Sequence, residues 1–252
     1  MAALQANLHW LTARPIAHRG LHDIASGVVE NCPGAFAAAM AGNYAIECDV
    51  QPTADGDAIV FHDPTLDRLT VETGRVDRRT VAQLQTVAFK QTGERMLTLA
   101  ELFAMVDDAV PLIVEIKSEF DGRLGLTERV AELASAYRGR VALMSFDPEP
   151  IAWLKAHAPG LVRGIVAEST YIGAHWERLP PATKRNLASL AHFDATDPHF
   201  LSWRVADLPN GASVLYRAAL KRPVICWTVR TDEDRAQAAR YADQVTFEGY
   251  LA

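Results

Sequence analysis

Residues capable of acid–base and metal chemistry occur in four short groups in the first half of the chain. The groups are His18-Arg19-Gly20, Glu47 with Asp49, His62-Asp63, and Glu115 with Lys117. Residues two apart on a strand share a face, so each spaced pair points one way. Acids on an inward face are costly to bury unless a cation neutralises them. The spacing therefore predicts a buried polar site that attracts a cation.

The carboxylates indicate which kind of cation this is. Glu47, Asp49 and Glu115 supply carboxylate oxygens from two predicted strands. A set of oxygen ligands without thiolates suits Mg²⁺, Ca²⁺ or Mn²⁺ better than zinc. We therefore expect one divalent cation of this kind as the cofactor.

Basic side chains accompany the carboxylates. Arg19 and Lys117 would add positive charge beside the ion, which suits a phosphate group better than a neutral substrate. His18 and His62 come from different segments, so they could flank a substrate as an acid and a base. The combination favours phosphate-ester chemistry.

Each group also has an ordinary explanation when it is taken alone. A loop arginine is usually just solvated, and Glu47 with Asp49 could line a solvent-facing strand. Glu115 could simply pair with Lys117, and His62-Asp63 could merely end a hairpin. A single active site explains the four groups together, whereas the ordinary explanations require four independent coincidences at strand ends.

The composition narrows the class of protein. The chain has 252 residues, 49% of them hydrophobic, which suits one closed barrel of about 250 residues, so we expect a single domain over residues 1–252. A formal net charge of −6 argues against a nucleic-acid partner. No signal-peptide pattern or membrane-length apolar run is seen, which predicts a cytoplasmic protein without integral membrane association.

The three cysteines, Cys32, Cys48 and Cys226, are too widely spaced for a disulfide framework or a thiolate metal site. We expect them in the core.

Predicted strands alternate with predicted helices along the chain, which is typical of parallel strands joined by crossover helices. The strand candidates are Ile16–His18, Tyr44–Val50, Ile59–His62, Leu112–Lys117, Val141–Phe146, Val162–Val166, Phe193–Thr196, Val224–Val229 and Gln244–Glu248. Only Ala54–Asp57 separates the second from the third, too few residues for a parallel crossover, so the third must return as a hairpin. The other eight predict a TIM (β/α)8 barrel, with residues 64–97 inserted at its mouth.

Helix starts support this alternation of elements. Thr98 with Glu101 forms a capping-box pattern, Asp147-Pro148 places a cap before a first-turn proline, and Thr231 precedes an acidic first turn. Helices are therefore expected after these residues.

Several motifs carry a resemblance to a known family. They are Ala17-His18-Arg19-Gly20, Glu30-Asn31, the segment Glu47–Gly56 (ECDVQPTADG) and the segment Val60–Leu66 (VFHDPTL). Glu115-Ile116-Lys117, Ser145-Phe146 and Cys226–Val229 follow in the expected order. From about Ile16 to Val229 the chain resembles the glycerophosphodiester phosphodiesterases of the bacterial cytosolic type.

The resemblance implies a barrel enzyme of lipid and glycerol metabolism. Its substrates would be glycerophosphodiesters, which are small molecules, and it would cleave them into glycerol 3-phosphate and an alcohol with the help of one divalent ion. The resemblance also implies three kinds of site residue: the metal ligands Glu47, Asp49 and Glu115, the acid and base histidines His18 and His62, and the substrate contacts Arg19, Lys117 and Trp227. We take His18 as the base and His62 as the acid. His22, close to His18, has no assigned role.

One feature departs from the family pattern, and two other functions stay open. Thr246-Phe247-Glu248-Gly249 replaces the usual Thr-Asp-Xaa-Pro ending, which affects substrate detail more than the metal ligands. A lysophospholipase-D-like phosphodiesterase could share the barrel but would need an apolar mouth, and the inserted residues 64–97 are mostly polar. A non-catalytic phosphate-binding barrel would have lost a histidine or an acid, and none is lost. The sequence leaves self-association open.

Overall fold

The computed structural model describes residues 8–252, in which strands and helices alternate. The strands are β1 (Ile16–Ala17), β2 (Ala45–Pro52), β3 (Ala58–Val60), β4 (Leu112–Ile116), β5 (Val141–Ser145), β6 (Val162–Ala167), β7 (Phe200–Arg204), β8 (Val224–Val229) and β9 (Gln244–Phe247). The helices are α1 (His9–Thr12), α2 (Pro33–Ala41), α3 (Val81–Leu84), α4 (Leu99–Val106), α5 (Gly125–Ala136), α6 (Pro148–His157), α7 (Pro181–Ala188), α8 (Phe193–Thr196), α9 (Gly211–Ala218) and α10 (Asp232–Tyr241).

Eight parallel strands close into a barrel. The order around it is β1, β2, β4, β5, β6, β7, β8 and β9, and closure is complete because β1 pairs with both β2 and β9. The strand β3 pairs antiparallel with β2, with Val50 opposite Val60, and lies outside the ring. The predicted TIM barrel and its hairpin after the second strand are both confirmed.

One predicted strand is wrong. Phe193–Thr196 forms the short helix α8, and the seventh barrel strand is Phe200–Arg204. The Thr196 hydroxyl donates to the carbonyl of His192 at 3.0 Å, four residues back, which supports a helical turn rather than a strand. The true strand was hidden because Ser202 and Arg204 break its apolar run.

The predicted helix caps are present. The Thr98 side chain accepts a hydrogen bond from the Glu101 backbone N–H, and the Glu101 side chain accepts one from the Thr98 backbone N–H, which completes the capping box. The Asp147 side chain caps α6 ahead of a first-turn proline, and Thr231 caps α10. These caps begin three of the helices that surround the barrel.

The core has two main layers, one inside the barrel and one between the strands and the helices. The inner layer contains Leu11, Ile16, Ala45, Ile113, Ala142, Met144, Val166, Phe200 and Ile225. The outer faces of β2 and β4, such as Cys48 and Val114, pack toward the helices, so the polar members of both strands are left facing inward. The cysteines are buried and free, as predicted.

The inserted residues 64–97 have a small core of their own. Leu66, Leu69, Val87, Phe89 and Met96 are buried together with Ile59 and Phe61 of the hairpin. This packing anchors the insertion to the segment that carries His62.

Within residues 8–252, every helix is too short or too polar to cross a bilayer.

Candidate active site

Three buried carboxylates from neighbouring strands meet inside the barrel. Glu47 and Asp49 lie on β2, Glu115 lies on β4, and the parallel register places Asp49 beside Glu115. Their exposed fractions are 1%, 1% and 8%, and each offers a ligand oxygen within 4.8 Å of the others. The structure therefore brings together the three residues that the sequence predicts as metal ligands.

The electrostatics of this cluster favour an additional cation. Burial raises the pKa of Glu47 well above its usual range, and the negative charges of Asp49 and Glu115 raise it further. Burial opposes ionisation of Asp49 too, but Lys117, His62 and Arg19 hold its pKa well below the usual range. The negative charge of one carboxylate is thus not fully offset by the cationic side chains nearby. The atoms that could bind a metal ion are all hard oxygens. A divalent cation of the Mg²⁺ or Ca²⁺ type fits this set.

Lys117 ties two of the acids together. Its Nζ lies 2.7 Å from Asp49 Oδ1 and 2.5 Å from Glu115 Oε1. Burial alone would lower the pKa of Lys117, but the two carboxylates raise it above its usual range. Lys117 is therefore charged and faces the pocket from within the acid cluster.

Arg19 is held by a tight turn after β1. Arg19 and Gly20 have φ angles of 56° and 78°, and a Cβ atom on Gly20 would lie 2.8 Å from backbone and side-chain atoms of Ala35. The turn points the Arg19 backbone N–H at Glu47 Oε2, 3.0 Å away. Arg19 Nε is buried, lies 3.3 Å from Asp49 Oδ2 and makes no hydrogen bond within the described chain. A phosphate oxygen could accept this N–H.

The two predicted histidines each have a carboxylate on Nδ1. His18 Nδ1 lies 2.7 Å from Glu248 Oε2, and His62 Nδ1 lies 2.7 Å from Asp63 Oδ1. In both cases Nε2 is the ring nitrogen left for a substrate. Burial lowers the pKa of His18, and Arg19 lowers it further, although the hydrogen bond to Glu248 acts in the opposite direction.

These side chains surround one pocket of about 350 Å³. Seven of the eight predicted site residues line it, and Asp49 lies beneath them, bonded to Lys117. Trp227 forms part of the wall, where its Nε1 donates to the Ser202 carbonyl at 3.0 Å and its ring meets Phe146 edge to face at 5.5 Å. Cationic side chains therefore share the pocket with an aromatic wall.

Several supporting residues have no role assigned from the sequence. Glu30 Oε1 accepts a hydrogen bond from Arg19 at 2.6 Å, and burial, which alone would raise its pKa, is outweighed by Arg68 and Arg19, which lower the pKa to about 2. Asn31 Nδ2 donates to Asp49 Oδ2 at 2.9 Å. Glu30 and Asn31 fall in a motif that carries the family resemblance, which is the signal that could have identified them. Glu248 could not be found this way because it falls where the sequence departs from the family ending.

Comparisons with known proteins agree with this architecture. A model of the glycerophosphoryl diester phosphodiesterase family matches residues 18–248. The glycerophosphodiester phosphodiesterase of Caldanaerobacter subterraneus subsp. tengcongensis is 35% identical over 161 residues, and the match spans 60% of this chain and 65% of that protein, just under two thirds of its length.

Solved structures show the same fold. A phosphodiesterase from Oleispira antarctica, in complex with the product sn-glycerol-3-phosphate, has a TM-score of 0.76 at 20% identity, covering 96% of this chain and 95% of that one. The glycerophosphodiester phosphodiesterase of Thermotoga maritima has a TM-score of 0.68 at 22% identity, covering 92% of each chain. With its site geometry and the match over residues 18–248, the chain belongs to the glycerophosphoryl diester phosphodiesterase family.

Proposed function

We propose that this chain, acting as a single domain, hydrolyses glycerophosphodiesters to glycerol 3-phosphate and an alcohol, as a step in glycerophospholipid breakdown in the cytoplasm. The observation that carries the proposal is the convergence of three carboxylates, two cationic side chains and two histidines on one pocket of a family member. The related phosphodiesterase from Oleispira antarctica, whose structure is a complex with the product sn-glycerol-3-phosphate, supports this product.

Glu47, Asp49 and Glu115 would hold the divalent cation. Each offers an oxygen within 4.8 Å of the others, which supports their sharing one ion. When bound, Mg²⁺, Ca²⁺ or Mn²⁺ would act as a Lewis acid that neutralises charge on the phosphate oxygens. The uncompensated carboxylate in the cluster is the physical reason to expect it.

Arg19 and Lys117 would bind the non-bridging oxygens of the diester. Arg19 Nε is a buried donor without a hydrogen-bond partner in the described structure, and Lys117 Nζ faces the pocket from the acid cluster. Negative charge on these oxygens grows or redistributes in the transition state, so fixed positive groups stabilise it more than the ground state. Trp227 would pack against the glycerol or the head group.

The two histidines would move the protons. His18 Nε2 takes a proton from the nucleophile, which is water or a glycerol hydroxyl, as its oxygen bonds to phosphorus. The bond between phosphorus and the alcohol oxygen breaks, and His62 donates a proton to that oxygen. If the nucleophile is a glycerol hydroxyl, this step gives a cyclic phosphodiester, and a water molecule then opens it to glycerol 3-phosphate with the roles of the two histidines reversed. The lowered pKa of His18 keeps it neutral and able to accept a proton near pH 7. The carboxylate of Asp63 lies 2.7 Å from His62 Nδ1 and holds the ring so that Nε2 is left for the substrate.

Substitution of the histidines tests this proposal. His18→Ala and His62→Ala should each lower kcat by about 10²- to 10⁴-fold, the usual worth of general acid or base catalysis. The assay follows release of glycerol 3-phosphate from a panel of soluble glycerophosphodiesters, with a lysophospholipid as the competing substrate. His157→Ala, an exposed residue on α6, is the matched control and should retain activity. Near-normal turnover in both test variants would contradict the assignment, and faster turnover of the lysophospholipid would favour the lysophospholipase-D-like alternative.

A further inference from the structure

Glu248 contacts three basic side chains at the seam where the barrel closes. Its Oε2 lies 2.7 Å from His18 Nδ1 and 3.6 Å from His22 Nε2, and its Oε1 accepts from Arg230 Nε at 2.5 Å. The seam fixes this geometry, because the His18 backbone N–H donates to the carbonyl of Phe247 at 3.0 Å. Glu248 is therefore brought to His18 by strand pairing as well as by its side chain.

We propose that Glu248 is a positioning residue that orients His18 for catalysis. A neutral imidazole carries one N–H, and the Nδ1–H of His18 donated to Glu248 leaves the Nε2 lone pair free. Nε2 faces the carboxylate cluster, at 3.9 Å from Glu47 Oε2. Glu248 thus selects the tautomer that can accept a proton and stabilises the imidazolium that forms. This inference rests on the proposed role of His18.

Arg230 makes Glu248 a fixed acceptor. It binds the carboxylate oxygen that His18 leaves free, so the carboxylate cannot rotate without losing one of two charge-assisted hydrogen bonds. Burial alone would raise the pKa of Glu248, but the hydrogen bonds to His18 and Arg230 and the nearby His22 lower it below its usual range. Glu248 is accordingly an acceptor only, which excludes the opposite arrangement in which it donates to Nδ1.

A metal site is the alternative role for this part of the seam, because His18, His22 and Glu248 offer ligand atoms within 4.8 Å of one another. Zinc bonds of about 2.0–2.1 Å in a tetrahedron place ligand atoms about 3.3 Å apart. The 2.7 Å separation of His18 Nδ1 and Glu248 Oε2 is that of a hydrogen bond instead. The geometry therefore favours the positioning role.

A double-mutant cycle tests the proposal. Glu248→Gln preserves size but removes the charge, and kcat should fall about 10²-fold or more with KM changed by less than about threefold. In the His18→Ala background the same substitution should cause no further loss, because Glu248 acts through His18. Glu248→Asp keeps the charge on a shorter side chain and should recover part of kcat. Glu233→Gln, an exposed acid on α10, is the matched control.

The outcomes separate this inference from the proposed function. Near-normal activity of His18→Ala would show that His18 is not the general base, which contradicts that part of the proposed function. If His18→Ala is impaired but Glu248→Gln is not, or if the Glu248→Gln loss persists without His18, the positioning role is overturned.

Ring ¹⁵N NMR of the chelated protein gives a second readout. A proton on His18 Nδ1 should be present in the wild type and lost or weakened in Glu248→Gln, whereas an Nε2-protonated wild type contradicts the inference. Zn²⁺ alone, added to the chelated Glu47→Gln variant, should not bind stoichiometrically through Glu248. Such binding, abolished by Glu248→Gln, would overturn the positioning role in favour of a metal site.

Discussion

The ammonium of Lys117 lies 2.7 Å from the Asp49 carboxylate, inside the cluster of acids at the barrel mouth. Asp49 is only 1% exposed, so this ion pair forms away from bulk water, where its charges are weakly screened. Lys117 also contacts Glu115, which means that one cation links the two strands that supply the acids. The side chain therefore reduces the net negative charge of the cluster, and we expect it to favour the binding of an anionic substrate.

Removal of this cation should impair turnover. Lys117→Met is expected to lower kcat by about 10²- to 10³-fold, because a fixed charge that stabilises the transition state is lost. Steady-state kinetics measure the effect, and Lys221→Met, an exposed lysine that precedes β8 at the opposite end of the barrel, serves as the control. A Lys117→Met enzyme with normal kcat would show that the lysine only balances charge.

Barrel packing makes a separate prediction about stability. Gly164 on β6 lies beside Phe200 on β7, and a Cβ atom at Gly164 would overlap the Phe200 ring. Gly164→Ala should lower the free energy of unfolding by about 1–3 kcal/mol through overpacking. Gly160→Ala is the matched control, because a Cβ there meets no atom within 4 Å. Equal denaturation midpoints for the two variants would refute this account of the packing.

A buried histidine predicts loss of stability in acid. Burial, and then Arg163 and Arg222, lower the pKa of His199 to about 4 from an ordinary value of about 6.5. The unfolded chain therefore takes up a proton first as the pH falls. The stability present above about pH 6.5 is lost toward pH 4, by up to about 3 kcal/mol from this group.

His199→Asn tests that prediction. His199 Nδ1 accepts from the Arg163 backbone N–H at 3.1 Å, and an asparagine Oδ1 can take the same place without titrating. The variant should be less stable than the wild type at pH 7 but should lose less stability between pH 6.5 and 4. Parallel stability curves from chemical denaturation at several pH values would contradict the assignment.

The strand-end residues could be predicted from the sequence because of a property of parallel barrels. Carboxyl ends of parallel strands face one side, so His18, Glu47, Asp49 and Glu115 had to converge once they were placed on strands. Alternation along each strand then fixed which side chains point inward. The barrel, its hairpin and the helix caps followed from similarly local rules.

Other parts of the site could not be predicted from strand and helix periodicity, because they depend on turn geometry and on strand pairing across the chain. Asn31 reaches Asp49 from a turn in which its own φ is 57°, and no periodicity marks such a position. Glu248 reaches His18 only because β9 pairs with β1, 230 residues apart in sequence. The strand β7 was missed because its inward polar residues interrupt the apolar pattern. The cytoplasmic location and the identity of the ion stay predictions.

We expect Glu47, Asp49 and Glu115 to hold a divalent cation that is used to hydrolyse glycerophosphodiesters. The most direct measurement is glycerol 3-phosphate release by protein treated with EDTA, freed of chelator, and then supplied separately with Mg²⁺, Ca²⁺ or Mn²⁺, with circular dichroism to verify the fold. Turnover should vanish on chelation and return with at least one of these ions, but not in a Glu47→Gln variant. Full activity in excess chelator, or no glycerol 3-phosphate with any of the ions, would contradict the account.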